Sequence, residues 1–331
     1  MTTATTPDRR FCVAPMMDWT DRHCRAFHRV MTRHALLYTE MATSAAVTHG
    51  DVARLIGFDP AEHPVALQLG GSDPDELAQA ARTGADLGYC EINLNVGCPS
   101  DRVQSGKFGA CLMREPELVA DCLQAMREKA AIPVTLKCRT GVDDQEPRDA
   151  LPDLLSRVKS RGITTAVIHA RKAWLKGLSP KENRSIPPLD HALVHAMKSA
   201  FPDMEIILNG GLETLESGLE AQGNLDGIML GRAAYHTPWQ LADVDGAVYG
   251  SPNPVTSPEA AVTAYLPYIA QQLDQGVRLH SITRHMLGLF HGRPGARQWR
   301  RILSENAVKD GAGIEVVMTA LAATQPALAS V

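Results

Sequence analysis

Eight short apolar runs, each followed by an amphipathic stretch, recur through the first two-thirds of the chain and leave few folds open. The runs are Phe11–Met16, Leu36–Met41, Val65–Gly70, Tyr89–Val96, Pro133–Arg139, Thr165–Arg171, Glu205–Gly210 and Gly227–Gly231. They are short and mostly apolar at odd and even positions alike, as strands covered on both faces must be. The stretches between them carry helix signals. Asp73-Pro74 with Glu76 opens one that runs to about Gly84, and Glu115-Pro116 opens one that ends near Ala131. Others span Asp149 to Arg161, Asp190 to Ala200 and Glu213 to Gln222, with acids or Pro in front and Gly or Pro behind. Eight strand–helix units over roughly 240 residues have the size and rhythm of a (β/α)8 TIM barrel. A doubly wound sheet would place a glycine-rich dinucleotide turn after its first strand. Here that strand ends Ala14-Pro15-Met16-Met17, and no G-x-G-x-x-G occurs. The α/β barrel is therefore expected over residues 11–245, behind a flexible N-terminus at 1–10.

Ser251-Pro252-Asn253-Pro254 and Pro258 mark a linker. Pro258–Gln275, His280–Phe290, Ala296–Asn306 and Ile314–Thr324 then read as helices, with no return of a strand pattern. A small all-α domain over 255–325 is expected. No apolar run approaches the ~18 residues of a membrane span. Met1 to Arg10 is polar, without the apolar core of a secretory signal. A cytoplasmic protein without membrane contact follows as the expectation, and a monomer is expected. The cysteines, at 12, 24, 90, 98, 111, 122 and 138, are odd in number and form no C-x-x-C pair. That argues against a disulfide framework and a zinc ribbon, and no metal is expected.

In such a barrel the chemistry sits where strands end and loops begin. Strand three ends with Gln68; strand four with Asn93, Asn95 and Cys98; strand five with Lys137 and Arg139; strand six with His169 and Arg171. Strands seven and eight end with Asn209-Gly210-Gly211 and Gly231-Arg232. Glycines at those two places let backbone N–H groups close on a phosphate, with Arg232 as countercharge. Each pair alone could be a tight turn; both together, with the strand count right, favour a phosphate site. Lys137 alone would read as a structural ion pair, and His169 as a core histidine. Four polar residues converging on one mouth favour a ligand site.

Ala14-Pro15-Met16-Met17-Asp18-Trp19-Thr20-Asp21 resembles the first strand of the tRNA-dihydrouridine synthase family. Asn93-Leu94-Asn95-Val96-Gly97-Cys98-Pro99-Ser100, continued by Gly106-Lys107-Phe108-Gly109-Ala110, resembles its active-site signature. The resemblance runs from Phe11 to about Ala312. Asn-x-Gly-Cys-Pro is specific, whereas the glycine pairs are shared with other FMN barrels. Leu178–Arg184 and Gly295–Arg301 look most like the A subfamily, which modifies uridines 20 and 20a of the D-loop. The resemblance implies FMN, lined by Pro15, Met16 and Met17, with Gln68 and Lys137 at its ring system and His169 in contact. It implies Asn209, Gly210, Gly211, Gly231 and Arg232 at the phosphate, Cys98 as proton donor, and Asn95 at the substrate. It implies tRNA contacts from Lys181, Arg184, Arg297 and Arg300.

Reducing the uracil C5–C6 bond takes a hydride at C6 and a proton at C5. A reduced flavin can give the first, with NADPH as the expected reductant, and a thiol, mostly protonated at neutral pH, can give the second. Cys111 is the nearest rival to Cys98, and the other thiols read as small core residues. Gly106 and Gly109 would let their loop close over the site. The net charge of −4 argues mildly against nucleic-acid binding, but residues 275–304 hold six arginines and no acid, a local bias suited to phosphates. Arg22, Arg25, Arg29 and Arg33 read instead as a solvated helix face paired with acids. Two other readings stand beside this one: an FMN-barrel dehydrogenase acting on a free pyrimidine, and an RNA-binding factor without redox chemistry.

Overall fold

The computed structural model describes residues 6–324. Eight parallel strands close into a barrel in sequence order: β1 (Phe11–Val13), β2 (Leu36–Thr43), β3 (Val65–Gly70), β4 (Glu91–Val96), β5 (Val134–Arg139), β6 (Thr165–His169), β7 (Glu205–Asn209) and β8 (Gly227–Leu230). β8 closes on β1 with Cys12 opposite Met229. All eight runs expected from the sequence are strands; seven are trimmed by zero to three residues at their ends, and β2 runs two residues further, to Thr43. β1 loses most, because Pro15 has no N–H for a ladder.

Side chains alternate across each strand. Cys12, Ala14, Leu36, Tyr38, Ala66, Val167, Ile207 and Met229 form a buried cluster drawn from six of the strands. β4 departs from this apolar pattern: Glu91, Asn93 and Asn95 alternate with the buried Ile92, Leu94 and Val96. Beside β4 in the ladder stand Gln68, opposite Asn93, and Thr135, also opposite Asn93. At the N-terminal ends of the strands, Arg9 pairs with Glu91 at 2.6 Å and with Glu205 at 2.7 Å. Burial alone would weaken the Arg9 guanidinium's hold on its proton; the two carboxylates outweigh that and raise its pKa.

The chain divides into two compact units: the part up to Met17 together with Ala35–Gly231, and Asp18–His34 together with the chain from Arg232 onward. The division differs from the expected boundary near 245–255, because the helix after β1, Arg22–Met31, belongs to the second unit. Asp245 draws the end of that helix in, accepting from Thr32 Oγ1 at 2.6 Å and the Arg33 N–H at 2.8 Å. Tyr265 donates to the His23 carbonyl at 2.7 Å. Asp21 caps the helix by accepting the Cys24 N–H, and pairs with Arg284 at 2.6 Å and His285 at 3.0 Å. The solvated reading of the arginine stripe fails at Arg25, which is buried and donates to the Thr20 carbonyl, while Arg29 donates to the Thr32 carbonyl.

In this unit Pro258–Asp274, Ala296–Asn306 and Ile314–Ala322 are helices close to expectation. The expected helix His280–Phe290 is broken: Leu279–Thr283 is α-helical and Arg284–Met286 is a 3-10 turn. The Trp299 indole takes the Met286 carbonyl at 2.9 Å, and that same oxygen accepts the Leu289 N–H in a tighter i+3 bond.

Candidate active site

The C-terminal ends of β3 to β7 gather the polar residues picked out in the sequence. Asn95 and Lys137 are register partners across β4 and β5, and His169 and Asn209 across β6 and β7. Gln68 Nε2 donates to Asn93 Oδ1 at 2.8 Å, and Asn95 Nδ2 donates to Gln68 Oε1 at 2.8 Å. Asn95 Oδ1 then accepts the N–H groups of Gly97 and Cys98, both at 3.0 Å. Asn95 therefore fixes the backbone that carries the thiol.

The Cys98 carbonyl accepts the Ala110 N–H at 2.9 Å. Gly109 sits at φ +77°, where a Cβ would lie 2.6 Å from that carbonyl oxygen. Gly109 is thus needed for close packing against Cys98, a firmer role than the loop mobility expected of it. Cys98 itself is part-exposed, with Sγ 3.5 Å from Ser100 Oγ. All seven cysteines are free thiols. Cys111 donates to the Phe108 carbonyl at 3.1 Å, and burial raises its pKa. Cys12, Cys24, Cys122 and Cys138 are buried, and Cys90 donates to the Val65 carbonyl.

Lys137 Nζ donates to Asn209 Oδ1 at 3.1 Å, and Asn209 in turn donates to the Met229 carbonyl at 2.7 Å. No carboxylate pairs with Lys137 among the described residues, so the structural ion pair that would explain it in isolation is absent. Burial, with the nearby Arg139, pushes the Lys137 ammonium down to about 8. Burial also drives His169 well below its ordinary value, helped by Arg139, Lys137, Arg171 and Arg184, and holds it neutral. Gly210, at φ +102°, has no room for a Cβ, which would meet the His169 ring at 2.4 Å. Gly211 is also at positive φ. Gly231 follows β8, and a Cβ there would make ordinary van der Waals contact with Ala14 at 3.8 Å and Met16 at 3.9 Å. Pro15 and Met16 are half-buried, and Met17 is 51% exposed. Arg232 opens the Arg232–His236 helix, in the second unit.

Arg139, noted in sequence only as a strand-top cation, is buried and stitches loops together. It donates to the Gly97 carbonyl at 3.1 Å and to the Asn183 carbonyl at 2.8 Å. Gln104, unnoticed in the sequence, donates to the carbonyls of Pro99 and Leu175, both at 2.9 Å. Together they tie the Cys98 loop to the 171–189 connection, where Lys181 and Arg184 stand exposed. In the second unit Arg297, Arg300 and Arg301 are exposed on the Ala296–Asn306 helix, whose opposite face buries Trp299 and Leu303. None of the three is ion-paired among the described residues, whereas Arg278 and Arg284 are held by Asp310 and Asp21.

The family model described as "Dihydrouridine synthase (Dus)" matches residues 12–325. The chain belongs to the dihydrouridine synthase family. A tRNA-dihydrouridine(20/20a) synthase of Vibrio vulnificus is 56% identical over 314 residues, covering 95% of this chain and 96% of that relative. Proteins of the same name from Yersinia pestis and Escherichia coli O6:H1 are each 55% identical, over 97% and 95% of this chain and 93% and 95% of their own lengths. An old yellow enzyme homologue from Zymomonas mobilis shares the fold, with a TM-score of 0.52 at 13% identity, covering 69% of this chain and 86% of that one. Within the dihydrouridine synthase family, a strand-four cysteine loop clamped by an asparagine and faced by an uncompensated lysine is what this chain presents.

Proposed function

We propose that this chain reduces uridines 20 and 20a of the tRNA D-loop to 5,6-dihydrouridine, with FMN held across the barrel mouth and Cys98 as the acid. The observation that carries the reading is the pairing of two things at one mouth: a part-exposed thiol on a fixed backbone, and a part-buried Lys137 with no carboxylate partner among the described residues. The residues fit FMN. Gly210 and Gly211 turn at positive φ, Gly210 directly against His169, and Lys137 offers an ammonium to an electron-rich ring. When bound, FMN supplies the hydride that C6 of the uracil receives, and NADPH restores it.

The chain's own residues do the rest. The target base leaves its stack and enters the mouth. Asn95, whose oxygen holds the Cys98 loop, keeps an amide N–H beside the position where the base would lie. Cys98 gives its proton to C5: the S–H bond breaks, a C5–H bond forms, and a thiolate remains. Lys137 and Arg139 are near enough to interact with that thiolate, and solvent returns the proton. Lys181, Arg184, Arg297 and Arg300, all exposed, meet the tRNA phosphates.

The test uses the purified protein reconstituted with FMN. It should be yellow and should consume NADPH with unmodified tRNA but not with free uridine. Turnover of free uridine at a comparable rate would favour the dehydrogenase reading, and a protein unable to take up FMN would refute this one.

A further inference from the structure

A line of hydrogen bonds, buried over its lower links and part-buried at Asn95 and Cys98, runs through the barrel interior from the N-terminal end to the Cys98 loop. The N–H of Cys98 donates to Asn95 Oδ1, Asn95 Nδ2 to Gln68 Oε1, and Gln68 Nε2 to Asn93 Oδ1. Asn93 Nδ2 donates to Thr135 Oγ1 at 2.9 Å, and the Thr135 hydroxyl donates to Glu91 Oε1 at 2.6 Å. Every donation points the same way, toward Glu91. Arg9 and Tyr38 also donate to that carboxylate, each at 2.6 Å. Gln68, Glu91, Asn93 and Thr135 are each no more than 1% exposed, so solvent has no access to exchange partners with them.

A side-chain amide offers an acceptor at one end and donors at the other, and a hydroxyl can act either way. Three amides and a hydroxyl in a row could therefore run in either direction. An ionised carboxylate can only accept. Placed at the end of the row, it forces Thr135 to donate downward and so to receive Asn93's amide nitrogen. Asn93 must then show its oxygen to Gln68, and Gln68 its oxygen to Asn95. Asn95 is left with its oxygen toward the two backbone N–H groups of the thiol loop and its nitrogen toward Gln68. In the reverse direction Asn95 would present an NH2 group to two N–H donors, and the loop would lose its clamp.

We propose that Glu91, buried at the far end of the barrel and anchored by Arg9, is a positioning residue for the reaction, acting through Thr135 and Asn93 to set the direction of the Gln68 and Asn95 amides and thereby the place of the Cys98 thiol. This rests on the assignment of Cys98 as the acid. It makes the polar inward face of β4 a device that reaches across the barrel.

Thr135→Val keeps the shape and removes the one hydroxyl that passes the direction on. With the FMN-loaded protein and unmodified tRNA, kcat should fall about tenfold while KM stays within about twofold, the kind of loss that slight misplacement of a reacting group produces. Thr135→Ser, which restores the hydroxyl, should recover most of kcat. Tyr38→Phe removes a different hydrogen bond from the same Glu91 oxygen but lies off the line. It should lower the melting temperature to a similar extent and leave kcat unchanged. Asn93→Leu cuts the line one link higher and substitutes if Thr135→Val does not fold. The proposal is overturned if Thr135→Val, or Asn93→Leu in its stead, turns over at the wild-type rate. It is also overturned if Thr135→Ser is no better than Thr135→Val, or if Tyr38→Phe lowers kcat equally. Cys98→Ala, run alongside, separates the two claims: full turnover there removes the acid assignment itself, whereas its loss with an active Thr135→Val removes only the line from Glu91.

Discussion

Lys137 carries its charge over only part of the pH range in which such a protein is handled. Burial has lowered its ammonium to about 8, so in the ligand-free site it is cationic below that pH and neutral above it. Affinity for FMN, an anion, should therefore fall as pH rises through about 8, as a fluorescence titration of the apoprotein would show. Lys137→Met should bind weakly at every pH and lose the dependence, while a pH-independent wild-type affinity would mean that the ammonium does not face the cofactor. Gly210 makes a steric demand at the same mouth. Gly210→Ala places a methyl where the His169 ring lies and puts an alanine at φ +102°. The purified variant should lose most of its bound flavin, and its absorbance ratio at about 450 to 280 nm reads this directly.

Among the elements, the Arg22–Met31 helix is the one whose surroundings the sequence concealed. It follows β1 inside the span expected for the barrel, yet Asp245, Tyr265 and the Arg284–His285 turn hold it in the second unit. Those partners lie more than two hundred residues away in the chain, beyond the reach of local periodicity. The eight strands were legible because a run that is apolar on both faces has few other uses. The break after Thr283 was not, because it depends on a carbonyl bonded by Trp299, thirteen residues on. At the site, Gln68, Asn95, Cys98, Lys137 and His169 announced themselves as polar residues at strand ends. Glu91 and Thr135 did not, since each is one polar residue early in an apolar strand; their signal was the alternation Glu91, Asn93, Asn95 on β4.

The same helix carries a pH dependence. Burial holds His28 at about 3 and His23 at about 4, below the ordinary 6.5. The folded state thus binds fewer protons than the unfolded one across that window. Stability from these groups is complete above about pH 6.5 and drains as pH falls toward 4 and 3, at up to about 1.4 kcal/mol per pH unit for each histidine. Melting curves between pH 7.5 and 4.5 should show it, and His28→Leu should flatten the slope; an unchanged slope would place the loss elsewhere. The Ala296–Asn306 helix presents its arginines outward, and Arg297→Glu with Arg300→Glu should raise KM for tRNA about tenfold or more and leave kcat near wild type. A fall in kcat at saturating tRNA would count against a pure binding role.

For the molecule as a whole, a net charge of −4 hides a segregated distribution. Acids are absent over 275–304, and at the barrel mouth Lys137 has no carboxylate partner among the described residues, while acids elsewhere pair with surface arginines such as Arg114, Arg157 and Arg161. Among the described residues no helix is long and apolar enough to cross a membrane. The link between the barrel's thiol and one nucleic-acid substrate can be read by mapping dihydrouridine in tRNA from cells that lack this protein and from the same cells supplied with the wild type or with Cys98→Ala. Dihydrouridine at positions 20 and 20a should disappear without the protein, return with the wild type, and stay almost absent with Cys98→Ala. Dihydrouridine at those positions that is indifferent to the protein, or fully restored by Cys98→Ala, would contradict it.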